Sequence, residues 1–397
     1  MSRRVRMPPL AWRNLTESPV RLAASVAGTA FAVTLMFMEV GFRGALLDSM
    51  VSVVRALDGD LFLVSRSLYT LAIPQPFPSQ RLEQARAFDG VTGSSRLYVE
   101  TRRSWWRNPD DGLPRRIRVL AFPPEDRTLD VFGLRDDPRH GDLANRLKRP
   151  DTVVADELSK RDRYGDFRRV GSSELSGRRF EVIGTFSLGT DFQNDGTLVM
   201  SEENFLRLYP DRRAGPPGTG ALIDVGVLRA QPGSDLNRLR DAVQAALPPD
   251  VLALTKRDFV AKEQGFWDKV APIGTVFSIG VVMGFVVGMA ICYQVLYSDL
   301  SDRLAEFATL KAMGYSNGWL FARVVEQAVY LALLGYAAGL VVSLFAFDVV
   351  HRTTGLPMNF RPVTAVLVLA LTLLMCVLSA CLAARRLLSA DPAQLYQ

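Results

Sequence analysis

The chain has little of what catalytic or disulfide-built proteins commonly use. It holds three cysteines and two histidines in 397 residues. Cys292, Cys376 and Cys381 all fall in apolar runs and none lies between residues 43 and 270, so no disulfide framework is implied there. The three thiols read as small apolar filler. His140 and His351 stand apart from any cysteine or carboxylate cluster at ligand spacing, so no metal site is expected. A Gly-x-x-x-x-Gly-Lys-Ser/Thr phosphate loop does not occur, nor does a nucleophile elbow or a suitably set pair of carboxylates. Binding or force transmission is left as the natural use, and the chain is read as non-catalytic.

Charge is also missing from four long stretches, Leu22–Met38, Ala271–Tyr297, Gln327–Phe347 and Val363–Ala384. At 48% hydrophobic and 22% charged residues the chain is too apolar for a soluble enzyme and too charged for a pure membrane bundle. The apolar residues concentrate at residues 20–42, 271–297, 326–348 and 362–385, each long enough for the ~20 residues a bilayer crossing needs. Pro357 and Pro362 separate the last two. Arg3, Arg4, Arg6 and Arg13 would suit the leader of a signal peptide. The run that follows them is longer than a signal core and has no small-x-small site after it, so it reads as an uncleaved anchor.

Basic residues near the spans give the orientation. The N-terminal arginines and the Arg385-Arg386 pair both mark their ends as cytoplasmic, and four crossings require both ends on one side. The expected layout is a cytoplasmic amphipathic segment at 1–19, an extracytoplasmic domain at 43–270, a cytoplasmic loop at 298–325, a short outer loop at 349–361 and a cytoplasmic tail at 386–397. Arg352 and Arg361 run mildly against the rule. The fold class is an α-helical membrane protein with four transmembrane helices (1+3) and a large α+β extracytoplasmic domain inserted between helices 1 and 2.

Within that domain, β-rich runs alternate with helical ones: Asp60–Val64, Asp151–Val154, Arg179–Gly184, Thr197–Met200 and Ala221–Leu228 against Ser79–Ala87 and Ser234–Leu247. Ser234 or Asp235 supplies the N-cap of the last helix. The net charge of +6 and the tract Thr101-Arg102-Arg103-Ser104-Trp105-Trp106-Arg107 could point to nucleic acid, but the topology puts this tract outside the membrane, where DNA is not expected. Asn108–Gly112 has turn chemistry, and Arg116–Phe122 reads as a returning strand. Trp105 and Trp106 are thus placed on an exposed hairpin or a partner contact.

Inside the membrane part, Gly280, Gly284 and Gly288 recur every four residues, as do Gly335 and Gly339. Small residues at that spacing let helices approach closely, either within one bundle or at a homodimer seam. Glu39 and Arg43 are one turn apart and form a candidate interfacial ion pair.

The loop Ser298–Gly318 is the most specific segment. Leu300, Leu304, Phe307 and Leu310 lie at helical spacing, Glu306 and Lys311 sit on other faces, Gly314 is placed to end the helix, Tyr315 follows it, and Asn317 can start the next. A short amphipathic helix at the inner face of the membrane suits a groove on a cytoplasmic partner or the lipid surface itself.

Glu306, Leu310, Lys311, Ala312 and Gly314 match an E-x-x-x-L-K-A-x-G segment, and here the chain resembles the FtsX-like or MacB-like permeases of ABC transporters. Ala11-Trp12-Arg13-Asn14-Leu15 is similar to the family's entry into its first helix, and Ala384-Arg385-Arg386 through Asp391-Pro392-Ala393 to its end. Phe37–Leu46 and Gly59–Ser65 look like the start of the DevC type of exporter permease. The resemblance implies a homodimer bound to a separate cytoplasmic ABC ATPase, which would bind ATP and Mg while this chain binds no cofactor. It further implies a coupling helix between spans two and three, a periplasmic adaptor and outer-membrane channel, and export of an amphiphile such as a glycolipid across the bacterial inner membrane. FtsX-like signalling to a periplasmic cell-wall hydrolase and lipoprotein extraction are the alternatives the family offers.

Overall fold

A computed structural model describes residues 18–126, 128–129, 143–270 and 272–388. Two compact units emerge: residues up to Ala45 with Pro272–Thr354 and Met358 onward, and Leu46–Ala271 with Gly355–Pro357. Along the chain run α1 (Pro19–Met50), α2 (Ser52–Ala56), β1 (Leu61–Ser65), β2 (Phe77–Pro78), α3 (Gln80–Arg86), β3 (Val91–Glu100), β4 (Trp105–Arg107), β5 (Pro114–Arg116) and β6 (Arg118–Phe122). They are followed by α4 (Leu143–Leu147), β7 (Thr152–Asp156), α5 (Arg161–Tyr164), β8 (Ser172–Leu175), β9 (Arg178–Phe186), β10 (Thr197–Ser201), α6 (Glu202–Leu208), β11 (Leu222–Ile223) and β12 (Val225–Ala230). The remainder is α7 (Leu236–Ala246), β13 (Val251–Thr255), α8 (Lys256–Val270), α9 (Ile273–Asp302), α10 (Leu304–Ala312), α11 (Asn317–Thr354) and α12 (Pro362–Leu388).

Among the described residues four helices, α1, α9, α11 and α12, are long and apolar enough to cross a membrane. Lipid tails are as apolar as leucine, so such helices associate through close contact and polar links rather than through escape from water. The glycine rows supply the close contact. On α9, Gly284 lies against Met36, and a Cβ at Gly280 would strike the Glu39 carboxyl group. Gly288 sits between Ala32 of α1 and Met375 of α12. On α11, Gly335 faces Thr29, and a Cβ at Gly339 would come within 2.7 Å of the Val33 side chain and 2.8 Å of the Ala30 carbonyl oxygen. Both rows are thus filled from within the chain. At these five positions the space a Cβ would take is met by atoms of the same chain. Three hydroxyl groups add cross-helix bonds: Thr34 donates to the Gly339 carbonyl at 3.3 Å, Ser379 to Met289 at 2.8 Å and Tyr336 to Ala365 at 3.1 Å.

The inserted domain is built on an eleven-stranded sheet in the order β13-β1-β12-β3-β6-β10-β7-β9-β8-β4-β5, with β11 and β2 paired separately. Pairing is mostly antiparallel, with parallel pairs at β6/β10 and β7/β9, so the domain is α+β. The ten-residue β3 joins two halves: its start pairs with β12, and Tyr98–Glu100 pair with β6. Side chains alternate across a strand, so Leu61 and Leu63 enter one apolar core while Phe62 and Val64 enter another. Both faces therefore need cover. Leu82 of α3, Phe205 of α6 and Val243 of α7 supply it on the first face; Val53 of α2, Leu143 of α4 and Phe259 of α8 supply it on the second.

Several local expectations change. The returning strand expected over Arg116–Phe122 divides at Ile117, where β5 stays with β4 while β6 leaves to join β3 and β10. The run Ala221–Leu228 breaks at Asp224, a fully buried carboxylate that accepts from the Val99 amide at 2.7 Å and pairs with buried Arg212. Burial pushes its pKa up to about 6. Asp235 is the cap of α7, accepting from the Asn237 and Arg238 amides. Helix α8 follows from the buried positions Phe259, Glu263 and Trp267, spaced four apart on one face.

Gly335→Leu is expected to push α1 off α11 and destabilise the bundle by about 1–3 kcal/mol, read as a lower thermal midpoint in detergent. Gly44→Ala, where a Cβ meets nothing within 4 Å, should not lower it. Glu263 supplies a second test. Its carboxyl accepts from the Thr70 hydroxyl and the Leu71 amide, both at 2.8 Å, and burial raises its pKa to about 7. The native state then holds this proton more tightly than the unfolded chain. Its stabilising effect is complete below the ordinary pKa of 4.5 and is lost as pH rises through about 7. Glu263→Gln should flatten the dependence of the thermal midpoint on pH over that window. At pH 8 it should exceed the parent protein by up to about 3 kcal/mol; a parallel pair of pH profiles would refute this.

Candidate functional site: the loop between the second and third spans

Helix α9 carries its apolar run to Leu300 and then meets polar residues. It ends at Asp302, where Arg303 leaves helical geometry with φ −103° and ψ 12°. The chain resumes as α10. At the far end of α10 the Tyr315 amide donates to the Leu310 carbonyl at 3.2 Å and the Gly314 amide to Lys311 at 3.0 Å. This is a Schellman C-cap, and it puts Gly314 at φ +98°, where an L side chain is strained. Ser316 then caps α11, its hydroxyl accepting from the Trp319 amide at 3.2 Å. The nine-residue α10 is thus delimited at both ends by backbone geometry.

A polar node anchors its first turn. Asp299 accepts from Arg303 Nε at 3.3 Å and from Gln327 Nε2 of α11 at 2.6 Å. Arg303 reaches Glu306 of α10 at 3.8 Å. Asp302 pairs with Arg21 of α1 at 2.5 Å. Of these residues Arg21, Asp299, Arg303 and Gln327 line a cavity of about 230 Å³ between α1, α9 and α11, together with Ser25 and Leu331. The Arg303 side chain is 14% exposed, so its bonds are shielded more than those of surface pairs. Beyond the C-cap, the Tyr315 and Trp319 rings lie 4.5 Å apart and the Arg323 guanidinium stands 5.2 Å from the Trp319 ring.

The surface of α10 is open. Glu306 and Lys311 are exposed, Met313 and Tyr315 are 64% and 44% exposed, and Leu304 and Leu310 are half-buried. Of the apolar stripe expected from the spacing, Leu300 is buried and Leu304 and Leu310 are half-buried. The Phe307 side chain lies outside the described residues. The loop offers a short, exposed helix tied to α9 and α11 by Asp299, Arg303 and Gln327, next to the Asp302–Arg21 link to α1.

Other sequence-derived site residues are distributed differently. Trp105 is 45% exposed, but Trp106 is fully buried, donating to the Tyr164 carbonyl at 3.2 Å with its ring 5.5 Å from Phe167. Trp106 is therefore corrected from partner contact to core anchor: adjacent strand residues face opposite ways. Glu39 lies over Gly280, one turn from Arg43 on α1. The segments 1–17 and 389–397, which carry Ala11–Leu15, Trp12, Arg13 and Asp391–Ala393, lie outside the described residues, as does His140. Among the described residues no group of three His, Cys, Asp or Glu side chains is placed to hold a metal ion. Sequence reading missed Asp299, Asp302 and Gln327; the signal available was the run Ser298-Asp299-Leu300-Ser301-Asp302-Arg303 directly abutting a charge-free span.

Residues 278–392 match the profile of the family described as FtsX-like permease C-terminal. Two curated Mycobacterium tuberculosis proteins, from strains CDC 1551 / Oshkosh and H37Rv, are each described as an uncharacterized ABC transporter permease. Each is 25% identical over 396 residues, covering 97% of this chain and 98% of its own. About half of the chain also aligns with each of two solved structures. The periplasmic region of MacB from Actinobacillus actinomycetemcomitans aligns at TM-score 0.33 and 11% identity, covering 51% of this chain and 92% of its own. The extracellular domain of the noncanonic ABC-type transporter YknZ from Gram-positive bacteria aligns at 0.32 and 13%, covering 50% and 99%. Residues 278–392 thus carry an FtsX-like permease C-terminal domain, and along its length the chain, with four helices long and apolar enough to cross a membrane, is similar to ABC transporter permeases.

Proposed function

We infer that this permease converts ATP hydrolysis by a separate ABC ATPase subunit into movement of its inserted domain, and that the movement drives export of an amphiphile. The observation that carries this reading is α10: an exposed helix fixed at its N-terminal end by Asp299 and Arg303 and at its C-terminal end by the Gly314 cap. A partner that grips Glu306, Lys311, Met313 and Tyr315 pulls directly on α9 and α11. ATP and Mg belong to that partner. A homodimer, cytoplasmic termini, an inserted domain on the far side of the inner membrane, and a periplasmic adaptor with an outer-membrane channel complete the proposed assembly.

The test is co-purification of the tagged permease with an ABC ATPase subunit co-expressed from the same organism, followed by ATP hydrolysis in lipid nanodiscs. The ATPase should co-elute and hydrolyse faster with the permease than alone. Gly314→Ala, which removes about 1 kcal/mol of backbone preference for the cap, and Asp299→Ala, which releases Arg303 and Gln327, should each lower the stimulation several-fold while the permease alone keeps its thermal midpoint within a few degrees. An ATPase that does not associate, or stimulation unchanged in both variants, would sink the proposal.

A further inference from the structure

The inserted domain contains a cleft of about 770 Å³ whose walls come from the bend after β3, from β4 and β5, from α5 and from the segment Gln193–Asp195. Four guanidinium groups line it, those of Arg102, Arg115, Arg116 and Arg163, against two carboxylates, Asp162 and Asp195. Two of the four are already engaged. Arg163 pairs with Asp195 at 2.6 Å, and Arg115 pairs with Asp111 at 2.6 Å while donating to the Arg163 carbonyl at 2.9 Å. These bonds make the wall.

Arg102 and Arg116 have no ion-pair partner among the described residues, and both are exposed. Their positions are nonetheless built. Glu100 accepts from the Arg102 and Arg103 amides at 2.9 and 3.1 Å, which fixes the bend that carries Arg102. Arg116 is held across the β4/β5 pair opposite Trp105, with its guanidinium 6.0 Å from that ring. The Tyr164 hydroxyl donates to the Arg116 carbonyl at 2.5 Å and secures the strand from below. The half-exposed Trp105 ring and the exposed Ile73 side chain supply apolar surface in the same cleft.

Two uncommitted cations beside an indole and an aliphatic side chain, in a cleft of the size that accepts a small ligand, define one ligand chemistry. We propose that this cleft binds an anionic amphiphile, with its phosphate or carboxylate headgroup on Arg102 and Arg116 and its apolar part against Trp105 and Ile73. Arginine is suited to such a group because its planar fork meets two anionic oxygens at once. The proposal deepens the export reading by giving the cargo a charge, and it rests on that reading only for what happens after binding.

Native mass spectrometry of the full-length, detergent-solubilised permease tests it with three probes: lysophosphatidylglycerol, zwitterionic lysophosphatidylcholine and glycerol 1-phosphate. One lysophosphatidylglycerol should bind about tenfold more tightly than either control. The double variant R102A/R116A should lose about that factor, whereas R102K/R116K, which keeps the charge without the fork, should lose less. W105A should weaken the lysolipid and leave glycerol 1-phosphate unchanged. Equal binding of the two lysolipids, unaltered binding in R102A/R116A, or glycerol 1-phosphate as tight as the lysolipid would each overturn the proposal. So would displacement of the lysolipid by a hexaglutamate peptide at equal concentration, which would mark an acidic protein segment as the occupant. ATPase stimulation is read separately, so a failed export mechanism and an empty cleft give different results.

Discussion

The membrane unit depends on the seating of α1 between two rows of glycine. In lipid there is no gain from hiding apolar surface, so a bundle is held by contacts that flexible lipid chains cannot match. Gly280, Gly284 and Gly288 let Glu39, Met36 and Ala32 approach the backbone of α9; Gly335 and Gly339 do the same for Thr29 and Val33 on α11. The first of the four spans is therefore the one the others are shaped to receive. These small-residue positions meet α1 within the chain.

The seating of α1 also explains why the polar node at the other end of α9 matters. Asp299 contacts Arg303 and Gln327, and Asp302 contacts Arg21, so α9, α10, α11 and α1 meet through a few charge-assisted bonds around one small cavity. Tight packing along the helices makes them move as pieces, because a close-packed interface is bistable rather than soft. In the proposed mechanism, a displacement imposed on α10 is passed on at this node. The Schellman cap serves the same end, since a frayed C-terminus would let the helix unwind under load.

Spans and helix ends are legible in the amino-acid sequence because both are local chemistry. Length without charge identifies a span, and the loop pattern Glu306 to Gly314 identifies the helix and its stop. The five glycines are legible as contact surface but their partner is not, since sequence spacing says that a face is small and not what fills it. The eleven-strand order is out of reach for the same reason: β1 pairs with β12 and β13, far along the chain. Trp105 and Trp106 mark the limit most sharply. Alternation says they face opposite ways, and only the position of the sheet decides which indole is buried.

The inserted domain keeps its buried charges at places where the chain changes direction. Asp224 with Arg212 sits at the break between β11 and β12, and Arg118 with Asp191 and Thr197 at the start of β6 and β10. Glu263 ties α8 to the turn at Thr70 and Leu71. Such groups add little net stability, because desolvation offsets most of their attraction. What they do is specify position: each has one arrangement in which its bonds are complete, and a shifted loop would leave a buried charge unmet. The turn held by Glu263 continues into Ala72, whose carbonyl accepts from the Thr101 hydroxyl at 3.0 Å, and into Ile73, which lines the arginine-rich cleft. The cleft wall is thereby referenced to α8, the helix that directly precedes the second span in the chain. A domain that had only to fold could have used leucine at position 263; a carboxylate bonded to two successive residues of a turn fixes where that turn lies.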